Sequence, residues 1–140
     1  MKSVPVRRAF SWIGLFLVLV LMEFSCARQP ANLAQIQQQR SGDHVVTLLN
    51  DTGVVKQRSN KLVLEFRNAS TNELANVGNV QIQASMRMPG MGPMFGNISS
   101  TRALGQGRYE FDADFSMAGQ WNFLVTFDPM GRVQFNLNAQ

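Results

Sequence analysis

The chain has 140 residues, 45% of them hydrophobic, and its 13 basic and 9 acidic residues give a formal net charge of +4. This length suits one domain with a core, and the scattered basic residues form no block of the kind that binds nucleic acid. The single cysteine excludes an internal disulfide. Eleven glycines and ten phenylalanines favour β structure with turns over a helical bundle.

The first 26 residues have the pattern of an export signal. Basic residues at positions 2, 7 and 8 precede the apolar stretch 12–22, "WIGLFLVLVLM". This stretch is shorter than the roughly 20 residues that a spanning helix needs, and small residues follow it. The mature protein is therefore expected outside the cytoplasm, in the periplasm or on the outer surface of a bacterium.

Cys26 is the candidate lipidation site. "FSC", ending at Cys26, resembles a lipobox, although Glu23 stands where such motifs usually carry leucine. We interpret the chain as a lipoprotein that is tethered to the membrane through Cys26. Cleavage after Ala27, at a small-residue site, is the first alternative, and an uncleaved signal anchor is the second.

Residues 27–42, "ARQPANLAQIQQQRSG", are polar and rich in glutamine. This composition predicts a tether between the membrane and a folded domain that spans residues 43–140.

From Val45 onwards, apolar residues recur at every second position. Leu62, Leu64 and Phe66 share one face, with charged residues between them. The same alternation recurs in residues 79–88, 108–115, 121–127 and 132–138. Period-two patterning predicts strands with one wet face, so we expect seven or eight short strands in two antiparallel sheets and no helix after residue 42.

Tyr109, the only tyrosine, has a predicted structural role. It opens a strand two residues after Gly107, as in the tyrosine corner of Greek-key sandwiches, where the hydroxyl bonds main chain.

Few residues could support catalysis. His44 is the only histidine, and neither a G-x-S-x-G motif nor a phosphate-binding glycine loop is present. Glu110, Asp112 and Asp114 alternate along one predicted strand, where a solvated face explains them better than a cation site does. We therefore predict that the protein is not an enzyme.

The stretch "MRMPGMGPM" places four methionines within residues 86–94. Strand alternation continues through Met86 and Met88, and a second strand's alternation continues to Met117, so these three side chains are predicted to point into the end of the core. Met91 and Met94 lie among prolines and glycines, where no strand pattern is expected, and an exposed methionine there needs another explanation.

Two explanations stay open for these methionines. Thioether sulfur is a soft, neutral ligand that selects Cu(I), and the M-x-M and M-x-x-M spacings bring several sulfurs within reach of one ion. Met117 would complete the set if its turn lies beside residues 86–94, and His44 is a weak further candidate. The other explanation is packing, or docking onto a partner protein.

The chain resembles the YtkA-like domain family. The resemblance rests on "ASMRMPGMGPM" followed by "GQGRYEFDADFSMAGQWNFLVTF" and covers residues 44–138. It implies a small Ig-like β-sandwich, exported or lipid-anchored, which occurs near heavy-metal efflux and copper-handling systems and is loosely similar to periplasmic copper-resistance proteins. The candidate ligands that it implies are Met86, Met88, Met91, Met94 and Met117, with Trp121 as their packing partner.

The sequence thus predicts an exported accessory or carrier protein that binds Cu(I) through a methionine-rich loop. Its expected partners are a metal efflux or copper-delivery protein and the membrane. The alternative is a structural module that docks onto an envelope or efflux complex without binding metal.

Overall fold

The computed structural model describes residues 32–140, in which nine strands and no helix occur. The export signal, Cys26 and the start of the predicted tether lie outside these residues. No helix within residues 32–140 has the length and apolar character needed to cross a membrane. The strands are β1 Ala34–Ser41, β2 His44–Asn50, β3 Arg58–Asn68, β4 Val80–Met86, β5 Met94–Phe95, β6 Asn97–Gly105, β7 Arg108–Phe115, β8 Gly119–Phe127 and β9 Gly131–Ala139.

The strands form two antiparallel sheets. One sheet has five strands in the order β1-β2-β3-β7-β6, and the other has four in the order β5-β4-β8-β9. The predicted all-β antiparallel sandwich is confirmed for residues 32–140. The strand count exceeds the expected seven or eight because β1 lies within the predicted tether and β5 lies within the methionine-rich stretch.

The core lies between the sheets and is built from the alternating residues. Aromatic rings from the two layers meet there in pairs, including Phe111 with Phe123 at 5.5 Å between ring centroids and Phe115 with Trp121 at 5.1 Å. Each pair joins β7 to β8, so the two sheets are held face to face by large, fully buried rings.

The predicted tether at 27–42 is wrong for its second half. Residues Ala34–Ser41 form β1, which pairs with β2 from Ala34↔Asn50 to Ser41↔His44, with a bulge between Gln35 and Gln37. Ile36 packs against the core. The domain therefore begins before residue 43, and the glutamines of this segment belong to an edge strand.

Tyr109 has the predicted structural role. Its hydroxyl donates to the Val77 carbonyl at 2.6 Å, and the Gly107 N–H donates to the Asn76 side chain at 2.7 Å. A Cβ on Gly107 would lie 2.4 Å from the Ala75 carbonyl oxygen, so only glycine allows this approach. The contacts hold the connection that crosses from β3 in one sheet to β4 in the other.

Candidate metal-binding site

Met86 and Met94 lie opposite each other in a hairpin at one end of the sandwich. Met86 ends β4, Met94 begins β5, and the two are register partners. Directly opposed residues of paired strands project from the same face of the sheet. Met86 is only 5% exposed and Met94 packs partly buried against the core. The hairpin therefore brings two thioether side chains together on its inner side.

A tight turn brings Met88 and Met91 together in the same hairpin. The Met91 N–H donates to the Met88 carbonyl at 3.2 Å across Pro89 and Gly90, and Gly90 has φ 77°. Proline followed by a glycine of positive φ is the pattern of a type II turn, whose end residues have Cα atoms within about 7 Å. Met88 packs partly buried against the core, whereas Met91 is 67% exposed.

The structure corrects the prediction for Met94. We expected no strand pattern at this residue, but it lies in β5 and is half-buried. The sequence contains a signal for this strand, because Met94, Gly96 and Ile98 occupy alternate positions. All three are half-buried in the structure, and the residues between them are exposed. The neighbouring prolines and glycines concealed this signal. Met91 is the exposed loop methionine that was predicted.

The prediction that Met117 points into the core is also wrong, since its side chain is 40% exposed. The alternation of β7 stops at Phe115, where the strand ends, and the chain then turns towards β8. The main chain of Met117 faces inwards instead, and its carbonyl accepts the indole N–H of Trp121 at 3.0 Å. The inward orientation of Met86, and of Met88 as a half-buried side chain, agrees with the prediction.

The turn that contains Met117 does lie beside the hairpin. A Cβ on Gly119 would be 3.0 Å from the Cε atom of Met86, so the absence of a side chain at Gly119 leaves room for the Met86 methyl group. Gly119 has φ 127°, a conformation that glycine adopts most readily. Met117 is two residues before Gly119, whose backbone approaches the buried Met86 side chain.

His44 lies at the other end of the sandwich. Its ring is 5.6 Å from that of Phe127, in an edge-on arrangement. Phe127 ends β8 whereas Gly119 begins it, and a strand of this length spans about 26 Å. His44 therefore does not join the methionines, and a site at the hairpin would have sulfur ligands alone.

Harder ligands are not assembled within residues 32–140, where no group of three or more His, Cys, Asp or Glu side chains could hold a metal. Glu110 instead accepts from Arg102 at 2.6 Å and lies 3.6 Å from Lys61. This contact supports the prediction that these acids belong to a solvated, charged strand face.

The donors of the hairpin fit a soft, monovalent ion. Thioethers are neutral and polarisable, and they favour Cu(I) over hard cations. Met86, Met88 and Met94 are wholly or partly removed from water, whereas Met91 is open to it. This arrangement offers one buried and two half-buried thioethers, with an exposed fourth side chain beside which an ion could enter.

A family model described as YtkA-like matches residues 38–126, which begins inside β1 and includes the methionine hairpin. The crystal structure of the Lin-41 filamin domain is similar with a TM-score of 0.49 and 10% identity, over 68% of this chain and 91% of that chain. No curated protein matches.

Proposed function

The chain belongs to the YtkA-like family, and from that premise we propose that it is an exported accessory protein that carries Cu(I) on its methionine hairpin, residues 86–94. It passes the ion to or from a metal efflux or copper-delivery protein and is not itself a catalyst. Export and lipid tethering through Cys26 are supported by the sequence pattern of the first 26 residues.

One observation carries the proposal. The hairpin gathers four methionines in two pairs, Met86 with Met94 across the strands and Met88 with Met91 across the turn. Packing alone accounts for Met86, but it does not require a methionine at the exposed position 91. A carrier needs ligands that bind Cu(I) and an open route for its release, and this combination supplies both.

The direct test is a Cu(I) titration of residues 27–140 under reducing conditions, in competition with a chromogenic Cu(I) chelator. This fragment contains all the strands and core residues that the structure describes, and it omits the Cys26 thiol, which would compete for the ion. We expect about one Cu(I) per chain, and we expect the double substitution Met91→Leu, Met94→Leu to abolish binding. Leucine preserves volume, so the fold should lose less than about 1.5 kcal/mol.

Met130→Leu is the matched control. Met130 is fully exposed in the turn between β8 and β9, at the far end of β8 from the hairpin, so its replacement should leave the Cu(I) affinity unchanged. Unchanged Cu(I) affinity in the Met91→Leu, Met94→Leu variant would show that the ion does not bind at the hairpin. Absence of binding in the parent protein would end the copper proposal.

The second candidate function is docking. Met91 and Phe95 expose apolar side chains on the same hairpin, at 67% and 61%. If the hairpin docks onto an envelope or efflux complex, Met91→Leu should keep the interaction and Met91→Gln should weaken it, because contact depends on apolar area rather than on sulfur. Cu(I) binding should instead weaken in both variants, because both substitutions remove the thioether. Photo-crosslinking from position 95 in cells would measure the interaction.

A further inference from the structure

The outer surface of the four-stranded sheet is unusually rich in side-chain amides. We call it the amide face and define it by the outward positions of β4, β8 and β9, centred on Gln83, Asn122 and Gln134. Beyond its arginine, every outward position of β9 is an amide, namely Gln134, Asn136 and Asn138. From this surface we propose that the protein binds an acidic polysaccharide, independently of any metal site.

The amides lie side by side across the sheet. Ser85, Asn122 and Asn136 are register partners in one row, and Gln83, Leu124 and Gln134 form the next. Gln134 donates to the Asn122 side chain at 3.2 Å, which orients part of the array. Each amide offers both donors and an acceptor, the combination that matches the hydroxyl groups of a sugar. A repeating set of such groups suits a repeating polyhydroxylated ligand.

The shape of the amide face places its two arginines around one depression. A shallow depression of about 360 Å³ lies over its centre, and its lining includes Asn122, Gln134 and two arginines, Arg87 and Arg132. Arg87 follows the end of β4 and Arg132 is opposite Thr126 near the start of β9, so the two guanidinium groups approach the depression from opposite ends.

The charge of the face is positive. No Asp or Glu occupies an outward position of β4, β8 or β9, and within residues 32–140 neither Arg87 nor Arg132 forms an ion pair. Asp128, in the β8–β9 turn, lines a neighbouring depression together with Arg132, but its carboxylate accepts the Asn79 N–H at 3.1 Å and forms no ion pair with that arginine. Two guanidinium groups without acidic partners complement carboxylate or sulfate groups, which they bind through paired hydrogen bonds.

In the other sheet, by contrast, four cations contact acids of the domain. There, Arg102 and Lys61 contact Glu110, and Glu65 lies between Arg67 at 2.6 Å and Arg108 at 2.7 Å. Each of these four cations contacts an acid, whereas Arg87 and Arg132 form no ion pair in the described part of the chain. Arg40 and Arg58 of the five-stranded sheet also form no ion pair within residues 32–140, but neither lies in a row of amides across its sheet.

An exposed aromatic ring borders the array. Phe95 lies in β5 opposite Ser85 and extends the row that contains Asn122 and Asn136. Its 61% exposure is high for a phenylalanine in a strand. An aromatic face can pack against the C–H groups of a sugar ring, so Phe95 supplies an apolar platform at the edge of a polar, basic surface.

Other macromolecules fit this face less well. Binding to anionic lipid uses clusters of about 4–8 basic residues, and a protein interface needs an apolar centre. Here the basic residues number only Arg87 and Arg132, and Leu124 is the sole apolar side chain among the outward positions of the three strands. An acidic polysaccharide uses the amides, the two cations and the ring together.

The test uses the full chain in a nonionic detergent, with alginate as the acidic probe and dextran as the neutral one, measured by affinity electrophoresis at physiological ionic strength. We expect alginate to retard the protein and dextran to have little effect. Arg87→Gln with Arg132→Gln should weaken alginate binding about tenfold or more, and Phe95→Ala should weaken it further.

The matched control is Lys61→Gln with Arg102→Gln, which removes the same charge from the outer surface of the five-stranded sheet. We expect it to retain alginate binding. Circular dichroism would show that all variants remain folded. Equal loss in the two double variants would mean general charge attraction and would overturn the proposal, as would a lack of alginate binding. Binding to anionic vesicles through Arg87 and Arg132 with no alginate binding would assign the face to membranes instead.

Discussion

At the scale of single residues, strand ends decide what a methionine does. Met86 and Met117 both continue an apolar alternation in the sequence, yet Met86 is 5% exposed and Met117 is 40% exposed. Met86 still lies within β4, whereas β7 ends at Phe115. Alternation positions a side chain only while the backbone stays extended and paired.

The difference predicts unequal losses of stability. Met86→Ala would leave a cavity beside Gly119 and should lower the free energy of unfolding by about 2–5 kcal/mol. Met117→Ala should lower it by less than about 1 kcal/mol, because much of this side chain is already in water. Urea denaturation of both variants measures the two values. Equal losses would contradict the burial difference between them.

At the scale of elements, β1 shows that a polar sequence can form a strand when its neighbour provides the pairing. Half of its residues are glutamines, and it lies at the edge of the five-stranded sheet. An edge strand needs few apolar residues because one of its sides faces solvent, and polar or charged side chains there also discourage pairing with other chains. Ile36 is its contribution to the core.

We predict that β1 is required for stability. Comparing residues 27–140 with residues 42–140, the shorter fragment should unfold at least about 10 °C lower, because β2 loses its partner and the core loses Ile36. The paired substitution Gln38→Ala, Arg40→Ala is the control. Both side chains are exposed, so it should shift stability by no more than about 0.5 kcal/mol. Equal melting temperatures for the two fragments would restore the tether interpretation. Thermal unfolding followed by circular dichroism makes the comparison.

At the scale of the whole molecule, the two sheets are held together by facing aromatic rings and by the contacts of the connection between β3 and β4. The connection from β3 to β4 is held by the Tyr109 hydroxyl at Val77 and by the close approach of Gly107 to Ala75. These contacts fix how the four-stranded sheet lies on the five-stranded one. The same arrangement sets the methionine hairpin at one end of the sandwich and His44 at the other.

Two substitutions test how much these contacts with the β3–β4 connection stabilise the fold. Tyr109→Phe removes one hydrogen bond and should cost about 1 kcal/mol. Gly107→Ala should cost more, about 2 kcal/mol or above, since its Cβ would collide with the Ala75 carbonyl and its φ is 71°. Chemical denaturation gives both values, and a smaller loss for Gly107→Ala than for Tyr109→Phe would contradict the close approach.

Much of the fold could be predicted from local pattern. Period-two alternation identified the strands around Phe66, Phe111, Phe123 and Phe135, since these residues face a core that demands an apolar side chain at every second position. The sequence also identified Tyr109 as a structural residue. It could not reveal β1, whose pairing depends on β2 rather than on its own composition.

The sequence by itself determined the chemistry of the candidate site: four thioethers in nine residues, with no histidine near them. Only the tertiary structure decided their arrangement. Hydrogen bonding between β4 and β5 placed Met94, half-buried, opposite Met86. A tight turn left Met91 in solvent, and the end of β7 turned Met117 outwards. The chemistry of each side chain can be read directly from the sequence. Its burial depends on which strands pair, and strand pairing joins residues that are distant in the chain.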